Sequence, residues 1–199
     1  REAGLVALLP IRPFTAKRAA RAWKTTPARA TTTIEELAGR AILLDMESVD
    51  GTRTFVLPPP MAGFFEFSLM RVRDDIDQKV LSELFYEYMN VEEDFIRELF
   101  TRGETQLGRT FVHEPALSDD NALHVLDYER ASEVIETASH IGVGRCYCRH
   151  KMEHVGKACS APQDICMTFN TTASSLIKHG SARAVEKQEC HDLLQQAYE

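Results

Sequence analysis

Four of the chain's five cysteines, Cys146, Cys148, Cys159 and Cys166, fall within 21 residues in the pattern C-x-C-x10-C-x6-C. No other feature restricts the fold as much. In a secreted chain such a group would suggest disulfides; in a cytosolic one it reads as metal ligands or redox thiols. Four thiolates suit a tetrahedral zinc or a single 4Fe-4S cubane, because soft sulfur donors satisfy both. The spacing is neither a bacterial ferredoxin run nor a pair of C-x2-C knuckles. A C-x-C pair can converge only if its backbone leaves regular strand geometry. Around one zinc the sulfurs would lie within about 4 Å of each other, and around a cubane within about 6–7 Å, given metal–sulfur bonds of about 2.3 Å. Cys146, Cys148, Cys159 and Cys166 are therefore expected to converge. Cys190, 24 residues beyond Cys166 and next to His191, is expected on a helix as a half-buried core residue.

The neighbours of these thiols carry positive charge. Arg145, Arg149, Lys151 and Lys157 would offset anionic ligands, and the backbone near Gly142, Gly144 and Gly156 offers amide donors to sulfur. Both are means by which a protein sets a cluster's potential, so a 4Fe-4S cluster is expected, with zinc as the alternative. Arg145, Arg149, His150 and Lys151 are the residues expected around the ligands. His150 and His154, four apart, could complete a Cys/His zinc site, but four cysteines suffice without them. Gly142 and Gly144 read as breakers that end the preceding helix.

Elsewhere the pattern is that of an ordinary α+β chain, with 44% hydrophobic and 27% charged residues. Residues 1–60 read as a winged-helix-like domain. Gly4–Leu9 looks like the end of a helix, Thr15 caps a helix to about Thr25, and Thr26-Pro27 opens a second helix to about Arg40. Asp50-Gly51 then joins two apolar runs as a hairpin. Residues 61–199 read as a helical linker followed by a small α/β cysteine module. Phe64–Met70 is an aromatic amphipathic segment expected to be core or interface. Helices are expected over about Asp75–Met89 and Val91–Arg102, the latter capped by Asn90 with Glu93 in a capping box. Short strands are expected at Arg109–His113 and His124–Leu126, then a helix over Tyr128–Ser139 capped by Asp127. Thr172–His179 and Gln188–Tyr198 read as helices and Ala184-Val185 as a strand. Hydrolase, nucleotide-triphosphatase and dinucleotide-binding motifs are lacking.

Two segments resemble a known group. Leu126-Asp127-Tyr128-Glu129 through Met167-Thr168-Phe169, with Cys-x-Cys-Arg-His-Lys, Cys-x-x-Pro and Cys-Met, is similar to anaerobe-associated bacterial 4Fe-4S ferredoxin-type proteins, and so is Leu57-Pro58-Pro59-Pro60-Met61-Ala62-Gly63-Phe64-Phe65-Glu66-Phe67. The resemblance implies a winged-helix-like N-terminal region and a cysteine module in which Cys146, Cys148, Cys159 and Cys166 hold the cluster. It also implies a C-terminal ferredoxin domain with further cysteine runs, but no C-x2-C-x2-C-x3-C run occurs in these 199 residues.

The expected function is electron transfer in an anaerobic redox system, as a carrier or an oxidoreductase subunit rather than a stand-alone enzyme. Its expected partners are a redox protein and, optionally, a second copy of the chain. The alternatives are a redox-sensing winged-helix DNA-binding regulator and a zinc-stapled interaction module. Residues 1–40 hold eight basic and three acidic side chains, against 15 and 27 in the remainder, so a head of +5 sits on a body of −12. Lys17, Arg18, Arg21, Lys24 and Arg29 are the candidate phosphate contacts, although the whole chain, at −7, would not be drawn to nucleic acid. No apolar run approaches the roughly 20 residues that span a bilayer, so no membrane is expected and the compartment expected is the cytoplasm.

Overall fold

Local signals near the N-terminus set up the first unit. In the computed structural model, which describes residues 2–59, 63–102, 108, 110–118, 125 and 129–198, the chain opens with α1 (Glu2–Val6) and α2 (Ala16–Ala22). The next helix, α3 (Pro27–Gly39), is capped by the Thr26 hydroxyl, which accepts from the Arg29 N–H at 3.4 Å. Proline at its first position costs no hydrogen bond, because that N–H would be unpaired anyway. Ala30, Ile34, Leu37 and Ala38 recur at helical spacing and are buried against Leu9, Phe14, Ala19, Leu43 and Phe55.

Strands β1 (Leu44–Glu47) and β2 (Arg53–Val56) form an antiparallel hairpin, and Phe14 pairs with Phe55 on its free edge. The turn differs from the two-residue form that Asp-Gly suggests. Gly51 alone adopts positive φ, at 77°, and its N–H donates to the Ser48 carbonyl at 2.8 Å. The loop is thus a longer one closed by a left-handed glycine.

The segment after the prolines contains a single helical turn, α4 (Phe65–Phe67), and then α5 (Gln78–Tyr86). A π-turn over Glu87–Val91 leads into α6 (Glu93–Thr101). Asn90 does not cap that helix. It lies within the π-turn, and its side-chain oxygen accepts from the buried Lys151 ammonium at 2.8 Å. Phe111–His113 is not a strand: the Val112 N–H donates to the Glu129 carbonyl, and a 3-10 turn follows at Glu114–Ala116. Arg109, Asp127 and most of the strand expected at His124–Leu126 lie outside the described residues.

The rest of the chain builds the cysteine module. Helix α7 (Ala131–Thr137) is capped from a distance by Glu114, whose carboxylate accepts from the Ser132 N–H at 3.0 Å and its hydroxyl at 2.5 Å. Strand β3 (Ile141–Gly144) leads to α8 (Tyr147–His154), then to β4 (Cys166–Phe169), α9 (Asn170–Lys178), β5 (Arg183–Ala184) and α10 (Lys187–Tyr198). The sheet is antiparallel in the order β4-β3-β5.

Gly142 and Gly144 therefore lie within the central strand, Gly144 as its last residue, and not at the end of the preceding helix. A Cβ at Gly144 would lie 2.7 Å from the Ser181 carbonyl oxygen and 2.8 Å from the Met70 Cε. These glycines allow close packing on both sides of β3.

Head and module share one core. Ala41 and Leu44 from the head pack with Leu69, Met70, Phe85, Tyr147 and Leu176. Asp45 clamps the junction. Its buried carboxylate accepts from Ser175 Oγ at 2.9 Å, His179 Nε2 at 2.9 Å, Arg53 at 3.1 Å and the Lys178 ammonium. Burial alone would push its proton affinity up, but the hydrogen bonds from Lys178, Ser175 and His179 outweigh burial and hold the carboxyl well below the usual range. Among the described residues, no helix is long and apolar enough to cross a membrane.

Candidate metal centre

The C-x-C pair sits where β3 ends and α8 begins. Cys146 is the extended residue before the helix and Cys148 lies in its first turn. Three backbone ties fix the turn: the Arg145 N–H donates to Met70 O at 3.0 Å, the Cys146 N–H to Gln163 O at 2.6 Å, and the His150 N–H to Cys146 O at 2.9 Å. The aromatic segment supports them. Gln78 holds its backbone by donating to Ser68 O at 3.1 Å and Arg71 O at 2.8 Å. His150 Nδ1 donates to Leu69 O at 2.8 Å. Phe64–Met70 is thus the floor under the cysteine turn, in keeping with a core role.

The neighbouring Cys148 thiol is the main reason that the Cys146 thiol is held below its usual value; the N–H and charge of Arg149 add to this against the opposing effect of burial. The positive end of α8 acts in the same sense. The backbone amides of Cys148 and Arg149 face the sulfur, although no side-chain cap hydrogen bond is formed. Cys148 shifts the other way, pushed up by the Cys146 contact and by burial.

Cys166 opens β4 opposite Gly144, so the antiparallel register brings the third thiol alongside the turn. Burial, then the charges of Cys146 and Glu66, push its thiol up to about 12. Cys146, Cys148 and Cys166 thus form one electrostatic unit.

Cys159 is placed differently. It is exposed on the loop that joins α8 to β4. That loop is pinned on either side of it. The Lys157 N–H donates to Met152 O at 2.8 Å, and its ammonium reaches the Tyr86 hydroxyl and lies 4.3 Å above the Tyr86 ring. Beyond Cys159, the Pro162 carbonyl accepts from Arg149, and Gln163 Nε2 donates to Glu153 at 2.8 Å. Among the described residues, no three His, Cys, Asp or Glu side chains close around a single ion. Cys190 is buried elsewhere, against Ile135 and Ile141, with its thiol 3.5 Å from the Met167 sulfur.

The basic neighbours divide. Arg149 and Lys151 act on the Cys146 and Cys148 sulfurs, respectively. Arg145 turns toward Glu153 and Asp164, at 3.9 and 4.0 Å. Buried His150 uses its second nitrogen to meet His154 Nε2 at 3.2 Å. With His150 Nδ1 donating to Leu69 O, His154 supplies the hydrogen of that contact.

One residue of the site escaped sequence reasoning. Glu66, on α4, is raised to about 7 by burial and by the charge of Cys146. It is a lone acid in an otherwise aromatic run, and that incongruity was the available signal. Lys17, Arg18, Arg21, Lys24 and Arg29 all lie exposed on α2, on α3 or in the turn between them, on the head and not at the thiols. Comparison with protein-family models, with curated proteins and with solved structures gave no match.

Proposed function

We propose that the protein is a 4Fe-4S electron-transfer protein whose cluster is held by Cys146, Cys148, Cys159 and Cys166, and that residues 1–60 form a winged helix. The observation that carries the first part is the grouping of the Cys146 and Cys148 thiols at the start of α8 with Cys166 beside them. The donor set fits: sulfur is the ligand that iron–sulfur clusters require, and one of the three thiols is already biased toward the thiolate. The fourth donor fits if the loop between Val155 and Ile165 folds inward, carrying Cys159 over the first turn of α8. That loop has a left-handed Gly156, at φ 71°, near its start.

When bound there, the cluster supplies one-electron chemistry. The chain's own residues do the rest. Arg149 and Lys151 offset the negative charge of the sulfurs. Leu69 and Met70 fix the turn through their carbonyls. The winged-helix reading rests on the order α1, α2, α3, hairpin, with the Phe14–Phe55 pair as a third edge.

The test is redox spectroscopy on the protein reconstituted anaerobically with iron and sulfide. Visible absorption that bleaches with dithionite and returns on reoxidation is expected. A colourless protein that takes up one zinc and no iron would replace this reading with the zinc-stapled module.

A further inference from the structure

The head carries a set of cations that nothing in the fold uses. Among the described residues, Arg40 pairs with Glu2, and Arg53 with Glu35 and Asp45. Lys17, Arg18, Arg21, Lys24 and Arg29 have no ion pair and no side-chain hydrogen bond there, and all five are exposed. Helix α2 buries Ala19 and Ala20, which turns Lys17, Arg18 and Arg21 away from the core. Lys17 and Arg21 stand four apart on α2, and Lys24 follows in the turn after it. They line a single hollow of about 420 Å³ that ends at Pro27, the first residue of α3. Arg29, in the first turn of α3, lines with Lys24 a neighbouring hollow whose walls include Glu2 and Glu36.

Unpaired like charges held together on a rigid surface repel one another and are relieved by a polyanion. Lys17 to Arg21 span about 6 Å of α2 at 1.5 Å per residue, and Lys24 stands in the left-handed turn just beyond the helix. Duplex DNA presents one negative charge per about 1.7 Å of axis, so a face of this length lies against several phosphates. An acidic protein is the other candidate class, but protein interfaces have an apolar, aromatic core. None of the exposed large apolar side chains lies on α2 or α3. We infer that the α2–α3 face of the head binds the phosphate backbone of duplex DNA, with Lys17, Arg18, Arg21, Lys24 and Arg29 as the contacts.

Sequence preference should be weak. Two of the three hydroxyls on α3 are turned back onto the helix: Thr31 donates to Pro27 O at 3.0 Å and Thr32 to Ala28 O at 3.3 Å. Phosphate contacts position a protein without reading bases. The hairpin tip adds no cation, since Glu47 and Asp50 are acidic and Arg53 is paired.

The test is fluorescence anisotropy of the full chain with two labelled duplexes of unrelated sequence, at several salt concentrations. About five phosphate contacts predict a slope near −4.5 in log K against log salt, or about 500-fold weaker binding at 200 mM than at 50 mM. Both duplexes should bind alike. The variant K17E/R21E/K24E should lose binding while keeping the far-ultraviolet circular dichroism of the parent, since these exposed side chains make no ion pair or side-chain hydrogen bond among the described residues. Lys79→Glu, which changes an exposed lysine of the body, should bind as the parent does. Absence of binding at 50 mM salt, binding indifferent to salt, or full binding by the triple variant would overturn the inference. So would a preference for poly-glutamate over both duplexes, which would assign the face to an acidic protein. None of these readouts depends on the metal centre.

Discussion

The Cys146 N–H donates to the Gln163 carbonyl at 2.6 Å, tying the start of α8 to the far end of the loop that carries Cys159. The loop thus leaves from the far end of α8 and returns to the thiols through Gln163 and then Cys166. Gly156 to Ser160, with Cys159, stand exposed to solvent. A short inward fold of an already closed loop costs little chain entropy, because its ends have been brought together by the surrounding structure.

The ligand set makes the first prediction. Replacing Cys146, Cys148, Cys159 or Cys166 by Ser should each lower the iron retained after anaerobic reconstitution, because a hydroxyl is a far harder donor than a thiolate. Cys190→Ser should leave iron content unchanged, since that thiol is buried against Met167. Iron assays on the five variants check this. Unchanged iron in Cys159→Ser would remove the loop from the site.

Asp45 makes a second, through pH. Its carboxyl is held below the usual range in the folded chain. The stability it contributes is present in full above its unfolded value, about 3.9, and is lost as pH falls toward the lower folded value. Thermal or urea midpoints should drop on acidification below about pH 5. In Asp45→Asn that contribution should be missing. At neutral pH the same variant should lose about 3 kcal/mol, because Lys178, His179 and Arg53 are left around a neutral group.

Packing on β3 gives a third. Gly144→Ala places a methyl carbon 2.7 Å from the Ser181 backbone oxygen, which cannot move without shifting β5. A loss of about 1–3 kcal/mol, the usual range for overpacking, is expected in urea unfolding. Gly4→Ala, inside α1 where a Cβ meets nothing within 4 Å, should by contrast cost nothing and gain up to about 1 kcal/mol from helix propensity.

The head's core gives a fourth. Ile34 is fully buried in α3, so Ile34→Ala should cost about 2–5 kcal/mol by denaturant titration. Thr26→Ala, which removes the cap hydroxyl, should cost about 1 kcal/mol.

What could be read in advance was what local chemistry encodes. Thr26-Pro27 announces a helix start and Asp50-Gly51 a turn, because both act within four residues. The C-x-C pair leaves the strand where its geometry demands. The misreadings involve partners far apart in sequence. Glu114 caps α7 from 18 residues away, and Asn90 meets Lys151 across 61. Gly142 and Gly144 look like breakers until Ser181, Ala182 and Met70 are seen packed against them. No periodicity reports such pairs. The same limit applies at the thiols, where spacing grouped four cysteines but gave no hint that Glu66, eighty residues earlier, would stand beside Cys146.

The iron and acid-labile sulfide content of the protein purified under strict anaerobiosis decides whether the thiols hold a cluster. A brown protein with about four irons and four sulfides per chain that bleaches in air is expected. A colourless protein holding one zinc per chain, with no iron or sulfide even after reconstitution, would contradict the cluster assignment.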